Sequence, residues 1–283
     1  MDSNNDCIVL VDVSYYEKFS ANAVWRSLKD EEGFPDSDPE FDPMSNDAFS
    51  ACYRRYFDFY LDSTVAKYYP MRSQSSYVFC MDCRRSDIWR RSVHPGYKHN
   101  RDVAVHKFSW SSIAEWTESW VKSHSETYGS KFIKVSGAEA DDIIAAISRK
   151  YYGDESVDVV IVSGDSDLLQ LGGPNIIQID SKGEEMTILK RIEKDGVLFD
   201  PTPMNYLKYK IMTGDSTDCI PSIRHGKCGP KTASMMVNSP ERMKQYIKSD
   251  KSISSNFIMN TILIDLRKTP RQLIESIEDQ YGR

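Results

Sequence analysis

The sequence predicts an α/β fold, with a mostly parallel central sheet flanked by helices. Two observations carry this. Four short apolar runs rich in β-branched residues recur along the chain, and helical stretches rather than tight turns separate them. All four runs end at, or lead into, an aspartate, and three of these, Asp12, Asp82 and Asp165, would bring a carboxylate to one sheet edge. In open α/β sheets that edge is where chemistry gathers.

The first run is Cys7-Ile-Val-Leu-Val-Asp12, and Tyr77-Val-Phe-Cys-Met-Asp82 repeats its pattern. Val157-Asp-Val-Val-Ile-Val-Ser163 leads into Gly164-Asp165, and Ile176-Ile-Gln-Ile-Asp180 is the fourth. Helices are predicted over 46–67, 111–127, 138–151 and 203–213. On the second of these Trp116 and Trp120 lie four apart, the spacing of one face turned to a core. The Pro- and Asp-rich stretch 30–47 is predicted to be a loop or insertion with too little apolar content to order itself well. No internal repeat is present.

With 283 residues, 40% of them hydrophobic and 28% charged, the chain has the makings of a soluble globular protein. Its N-terminus has no basic segment followed by an apolar stretch, and no run reaches membrane-spanning length. An intracellular, cytoplasmic protein is therefore expected. Cys80 and Cys83 lack a second Cys or His pair at zinc-site spacing, so packed, reduced thiols are the expectation for the six cysteines.

The net charge of −6 conceals an uneven distribution. Residues 30–47 hold eight acids and no Lys or Arg; without them the remainder carries +2. Residues 84–107 carry seven Lys and Arg against two Asp, and 224–248 carry six against Glu241 alone. Basic regions in an acidic chain suit a protein that grips phosphate locally, although solvated faces have the same composition.

Carboxylates cluster in five places: Asp12; Asp82; Glu139-Ala-Asp141-Asp142; Asp165-Ser-Asp167; and Asp215-Ser-Thr-Asp218. Each also has a local explanation. Ser136 and Glu139 fit a capping box, Asp141 and Asp142 favour a helix N-terminus, and Asp165 or Ser166 can cap the next helix. Converging on one edge, so many carboxylates would repel one another unless cations neutralise them. Hard oxygen ligands without His or Cys partners favour Mg²⁺, with Mn²⁺ as a substitute, and two such ions suit phosphodiester hydrolysis.

The order and spacing of Gly137-Ala-Glu139-Ala-Asp141-Asp142, Ser163-Gly-Asp165-Ser-Asp167, Gly214-Asp215-Ser-Thr-Asp218-Cys-Ile-Pro221 and Gly229-Pro-Lys231-Thr-Ala233 resemble the flap endonuclease, or 5′-nuclease, superfamily. The small bacteriophage and viral members, including phage RNase H, and the nuclease domain of bacterial DNA polymerase I are most similar. The resemblance implies a PIN/5′-nuclease-like core over 1–190, with a helical arch at about 84–108. A helix–three-turn–helix DNA-binding lobe would occupy 191–283.

It further implies one metal group from Asp12, Asp82, Glu139, Asp141 and Asp142, and a second from Asp165, Asp167, Asp215 and Asp218. Lys98 and Arg101 would contact the scissile phosphate. Arg90, Arg91 and Tyr97 would bind DNA, Tyr97 by stacking on a base. Gly226, Lys227, Gly229 and Lys231 would hold the duplex backbone. The family's hairpins also bind K⁺ through their carbonyls, but here the hairpin is longer, and Cys219 and Ser222 stand where Asn and Gly are usual.

The implied activity is hydrolysis near a single-strand/duplex junction, as 5′-flap endonuclease, 5′-3′ exonuclease or RNase H, in replication or repair. The substrate would be DNA with a 5′ flap or 5′ end, or a DNA–RNA hybrid. The chain is expected to act as a monomer, alongside a polymerase or single-strand-binding protein, and in the host cytoplasm if viral. A PIN-type ribonuclease would lack the basic arch and the hairpin. A non-catalytic DNA-binding relative would have lost several of these carboxylates.

Overall fold

The computed structural model describes residues 6–31, 34–35, 37–66, 75–103, 106–224, 226 and 228–282. Its sheet contains β1 (Asp6–Asp12), β2 (Ser75–Cys80), β3 (Lys131–Ile133), β4 (Val157–Val162), β5 (Ile176–Ile179) and β6 (Glu185–Met186), in the order β3-β2-β1-β4-β5-β6. All pairs are parallel except β5 with β6. The two strands absent from the sequence prediction, β3 and β6, span three and two residues, too few to show a pattern.

The chain builds outward from β1 to β2 and β3, then returns to lay β4 on the other side of β1. The carboxyl ends of β1 and β4 are therefore neighbours from which the chain departs in different directions, opening a crevice. Asp12 closes β1 at that point, in parallel register with Cys80 of β2.

Residues 7–12 of β1 and all six of β4 are buried, because helices cover both faces of the sheet. On one face Val9, Val11, Phe79 and Val162 pack against α1 (Val13–Leu28), α2 (Asp47–Ala66) and α5 (Ser111–Tyr128). Trp116 and Trp120 meet Phe57 edge-on there, with centroids 5.9 and 5.0 Å apart, as their spacing predicted. On the other face Leu10, Val78 and Ile161 pack against α6 (Ala140–Lys150) and α12 (Arg271–Gly282).

The acidic stretch is the expected loop as far as it is described, and it is anchored. Phe34 and Phe41 pack on Trp25 at 4.6 and 5.9 Å, and Asp38 N–H bonds the carbonyl of Lys107. Two aromatics thus anchor a loop whose described acids face water; Glu32, Gly33 and Asp36 lie outside the described residues.

Two short helices, α3 (Arg90–Val93) and α4 (His99–Asp102), lie between β2 and α5. After β6 come α7 (Ile188–Lys194), α8 (Pro203–Thr213), α9 (Pro230–Val237), α10 (Pro240–Lys248) and α11 (Lys251–Ile264). Tyr206, Met212, Ile223, Ala233 and Ile253 form a core for this region. At the end of the stretch 191–283, α12 returns to the sheet and buries Ile277 beside α6. Among the described residues no helix is long and apolar enough to cross a membrane.

Candidate active site

Each carboxylate at the crevice is placed by a local structural task. Asp12 Oδ1 accepts Tyr15 N–H at 3.0 Å, which starts α1, and Oδ2 accepts the Ser163 hydroxyl at 2.9 Å from the end of β4. Asp82, two residues past β2, accepts Ala140 N–H at 2.7 Å and so ties that strand to the first turn of α6. Asp141 lies in that turn. Asp165 accepts Asp167 N–H at 2.8 Å and caps the short 3₁₀ turn Ser166–Leu171. Asp12, Asp82, Asp141 and Asp165 line one cavity of about 200 Å³, with Lys18, Lys98 and Arg101 also at its wall.

These four are short of positive charge. Burial, then the Asp82 charge, pushes Asp12 up to about 6. Burial, then Asp165 and Asp12, holds Asp141 well above the usual carboxylate range. Asp165 is also raised, chiefly by burial, with Asp218 adding to it. Asp82 goes the other way: burial works against its charge, but Lys98 and the Ala140 N–H outweigh it and hold it low. Among the described residues no Lys or Arg lies within 4.0 Å of any of the four. Their hard oxygens fit a hard divalent cation. No three of them close on a single point among the described residues, so an ion here would keep part of its water.

The remaining acids already have cations. Asp215 caps the turn Ser216–Asp218 by accepting Thr217 N–H at 2.8 Å, and a β-bridge pairs it with Ile220. Gly214 permits that bridge: its φ is +71°, and a Cβ would meet the Ile220 carbonyl oxygen at 2.4 Å. Lys210, on α8 and 8% exposed, puts its Nζ 2.7 Å from both Asp167 and Asp215. Asp218 pairs with Arg101 at 2.6 Å and accepts the Tyr97 hydroxyl at 3.2 Å. Glu139 accepts from Lys98, from Tyr97 at 3.0 Å and from Arg90 at 2.9 Å.

Asp142 is fully buried, and both its oxygens are engaged. Arg90 grips it at 2.9 and 2.8 Å, Trp89 Nε1 donates at 3.1 Å, Thr269 at 2.7 Å, and Glu139 N–H at 3.0 Å completes the capping box. Arg90 holds its carboxyl below the usual range against the opposing effect of burial.

The structure thus brings Asp12, Asp82, Asp141 and Asp165 together with Lys98 and Arg101. It places Asp167, Asp215 and Asp218 beside them under bound cations. It removes Asp142 from the cavity, against expectation, because the buried guanidinium of Arg90 claims it. Arg90, 2% exposed, is correspondingly withheld from DNA. Tyr97, 3% exposed and donating to two carboxylates, has no ring face free to stack on a base. Arg91 pairs with Asp102 at 2.7 Å near the surface.

Gly226 has a φ of +67° with open space where a side chain would be, and Gly229 opens α9 with equal clearance. Lys231 is exposed at the second position of α9; Lys227 lies outside the described residues, as does His225 beside the expected K⁺ cradle. Sequence reasoning missed Lys210 and Lys18. Lys210 left a faint signal, a Lys within a predicted helix five residues before Asp215.

Residues 59–198 match the family model for the 5′-3′ exonuclease N-terminal, resolvase-like domain. That stretch belongs to the family of 5′-3′ exonuclease N-terminal domains. DNA polymerase I of Rhizobium leguminosarum is 32% identical over 191 residues, 66% of this chain and 17% of that protein. A 5′-3′ exonuclease of Aquifex aeolicus is 30% identical over 129 residues, 46% of this chain and 43% of that one. The alignments thus span less than half the length of these relatives. Among solved structures, the bacteriophage T5 D15 protein co-crystallized with metal ions covers 98% of both chains, with a TM-score of 0.62 and 18% identity. A complex of T5 flap endonuclease with DNA and metal ions superposes with a TM-score of 0.61, again covering 98% of both chains, at 17% identity. These neighbours share the fold.

Proposed function

We propose that this chain is a divalent-metal-dependent 5′ nuclease that hydrolyses phosphodiesters near single-strand/duplex junctions. The observation that carries the reading is the inner cluster: Asp12, buried, and Asp82, Asp141 and Asp165, half-buried, gathered at the sheet's switch point with no ion-pair partner among the described residues. Mg²⁺, or Mn²⁺ in its place, would neutralise these carboxylates, lower the proton affinity of water and stabilise charge on the leaving oxygen.

The protein's own groups supply positioning. Lys98 and Arg101 stand at the cavity wall, held by Glu139 and Asp218, where an anionic phosphate oxygen would meet fixed positive charge. Their carboxylate partners keep both in place before substrate arrives, so little reorganisation is needed on binding.

Two larger clefts meet at this cavity. One of about 830 Å³ runs past Lys18, Arg85, His106 and Trp110 and shares Asp82, Lys98 and Arg101 with it. The other, of about 790 Å³, shares Gly164 and Asp165 and extends to Arg191, Gly226 and Gly229. The first suits a single strand, with aromatic and basic groups along it. The second suits a duplex backbone, approached by glycine N–H groups and the N-terminus of α9. DNA with a 5′ flap or 5′ end, or a DNA–RNA hybrid, fits this division, as does a place in replication or repair.

The test is cleavage of an end-labelled 5′-flap duplex with Mg²⁺, with EDTA, and by an Asp165→Asn variant. Cutting near the junction that needs both the ion and Asp165 is expected. Binding of the flap without cleavage in Mg²⁺ or Mn²⁺ would make the chain a non-catalytic DNA-binding relative.

A further inference from the structure

The two carboxylate groups differ in one respect that the shared motifs do not convey. The inner four have no cation within ion-pair distance among the described residues. The outer pair, Asp167 and Asp215, already encloses one, the ammonium of Lys210. Nζ lies 2.7 Å from an oxygen of each, and its contact with Asp215 is also a hydrogen bond. Lys210 lies on α8 and is buried, as are Tyr206 and Tyr209 of the same helix, in surroundings that would expel an unpaired charge. Burial disfavours its charge, and the two carboxylates more than restore it.

Asp167 is the less satisfied partner. Its Oδ1 is buried against the ammonium, 2.7 Å from Nζ, with no further donor among the described residues. Asp215, with Lys210 and both donors of Thr217, is held low against burial.

We propose that Lys210 is the resident cation of the outer pair, so that a divalent ion fills the inner group first and reaches the outer pair only by displacing the Lys210 ammonium. The proposal rests on the metal-dependent reading above. An ammonium a few ångströms from an incoming dication opposes it through a poorly screened, largely buried path, and the ion must also replace the contacts that the ammonium gives up. The order of filling is then set by a side chain, and a single charge-removing substitution should change it.

Binding of Mn²⁺ alone, without nucleic acid, tests this at pH 7.5 by isothermal titration calorimetry with paramagnetic detection of free ion. The wild type is expected to take one ion tightly and a second at least about tenfold more weakly. Lys210→Gln should tighten the second by about tenfold or more, whereas Lys210→Arg, which retains the charge, should keep the wild-type order. Two ions of equal affinity in the wild type would overturn the proposal, and that measurement needs no variant. So would a Lys210→Gln protein, folded by near-ultraviolet circular dichroism, whose second ion binds no more tightly. No Mn²⁺ bound by the wild type at all would overturn the metal-dependent reading itself, and the role of Lys210 with it.

Discussion

Asp142 offers the sharpest separation between what the motif implies and what the structure shows. The substitution Asp142→Asn keeps its size and removes its charge. In the native protein Arg90 is 3% exposed at the side chain and bonds both oxygens of Asp142. The amide would turn an N–H donor towards the guanidinium donors and leave that charge buried with Glu139 as its remaining carboxylate. Removing one partner of a buried pair destabilises a protein by about 3–5 kcal/mol. For a chain of this size that lowers the melting temperature by about 6–20 °C. Circular dichroism melts in EDTA give the value, and Mn²⁺ titration of the folded variant gives ion affinity. A large loss of stability with ion binding kept is expected, and Arg90→Met together with Asp142→Leu should recover much of it. If Asp142→Asn melts like the wild type but loses ion affinity, Asp142 is a metal ligand and the structural argument is wrong.

Glu17, on α1, is buried, and burial pushes it up to about 7 from an ordinary 4.5. The folded state then retains a proton that the unfolded chain releases, so stability falls as pH rises between about 4.5 and 7. Glu17→Gln should match the wild type near pH 4 and exceed it at pH 8 by up to about 3 kcal/mol in urea titrations; parallel pH profiles would contradict this. Tyr97→Phe removes hydrogen bonds to Glu139 and Asp218 and should cost about 1.5–3 kcal/mol of stability while leaving DNA affinity within about twofold. Weaker DNA binding with an unchanged melt would restore the base-stacking role.

The sheet and its carboxylate edge were legible because they depend on local pattern. Buried parallel strands write themselves as apolar runs, and Asp12, Asp82 and Asp165 follow those runs directly. The cap at Asp165 was legible for the same reason, whereas the capping box expected of Ser136 and Glu139 forms three residues later, with Glu139 as the N-cap and Asp142 as its partner. What could not be read was which charges meet. Arg90 and Tyr97 stand in a basic, aromatic stretch that looks like a nucleic-acid surface. They turn inward because Asp142, Glu139 and Asp218, distant in sequence, require buried donors. Lys210 is a similar case, a helical lysine given meaning by two acids from separate turns. The helix Val13–Leu28 escaped notice because Asp12 both ends β1 and caps it, leaving no break between strand and helix.

The most direct test of the central claim uses Asp141, which lines the inner cavity and forms no ion pair among the described residues. Single-turnover cleavage of a 5′-flap duplex in Mg²⁺ should be slowed more than roughly 100-fold by Asp141→Asn, beyond what loss of a supporting contact causes, with the fold and flap affinity retained. A variant that cuts at the wild-type rate would show that the chemistry does not occur at the inner carboxylates.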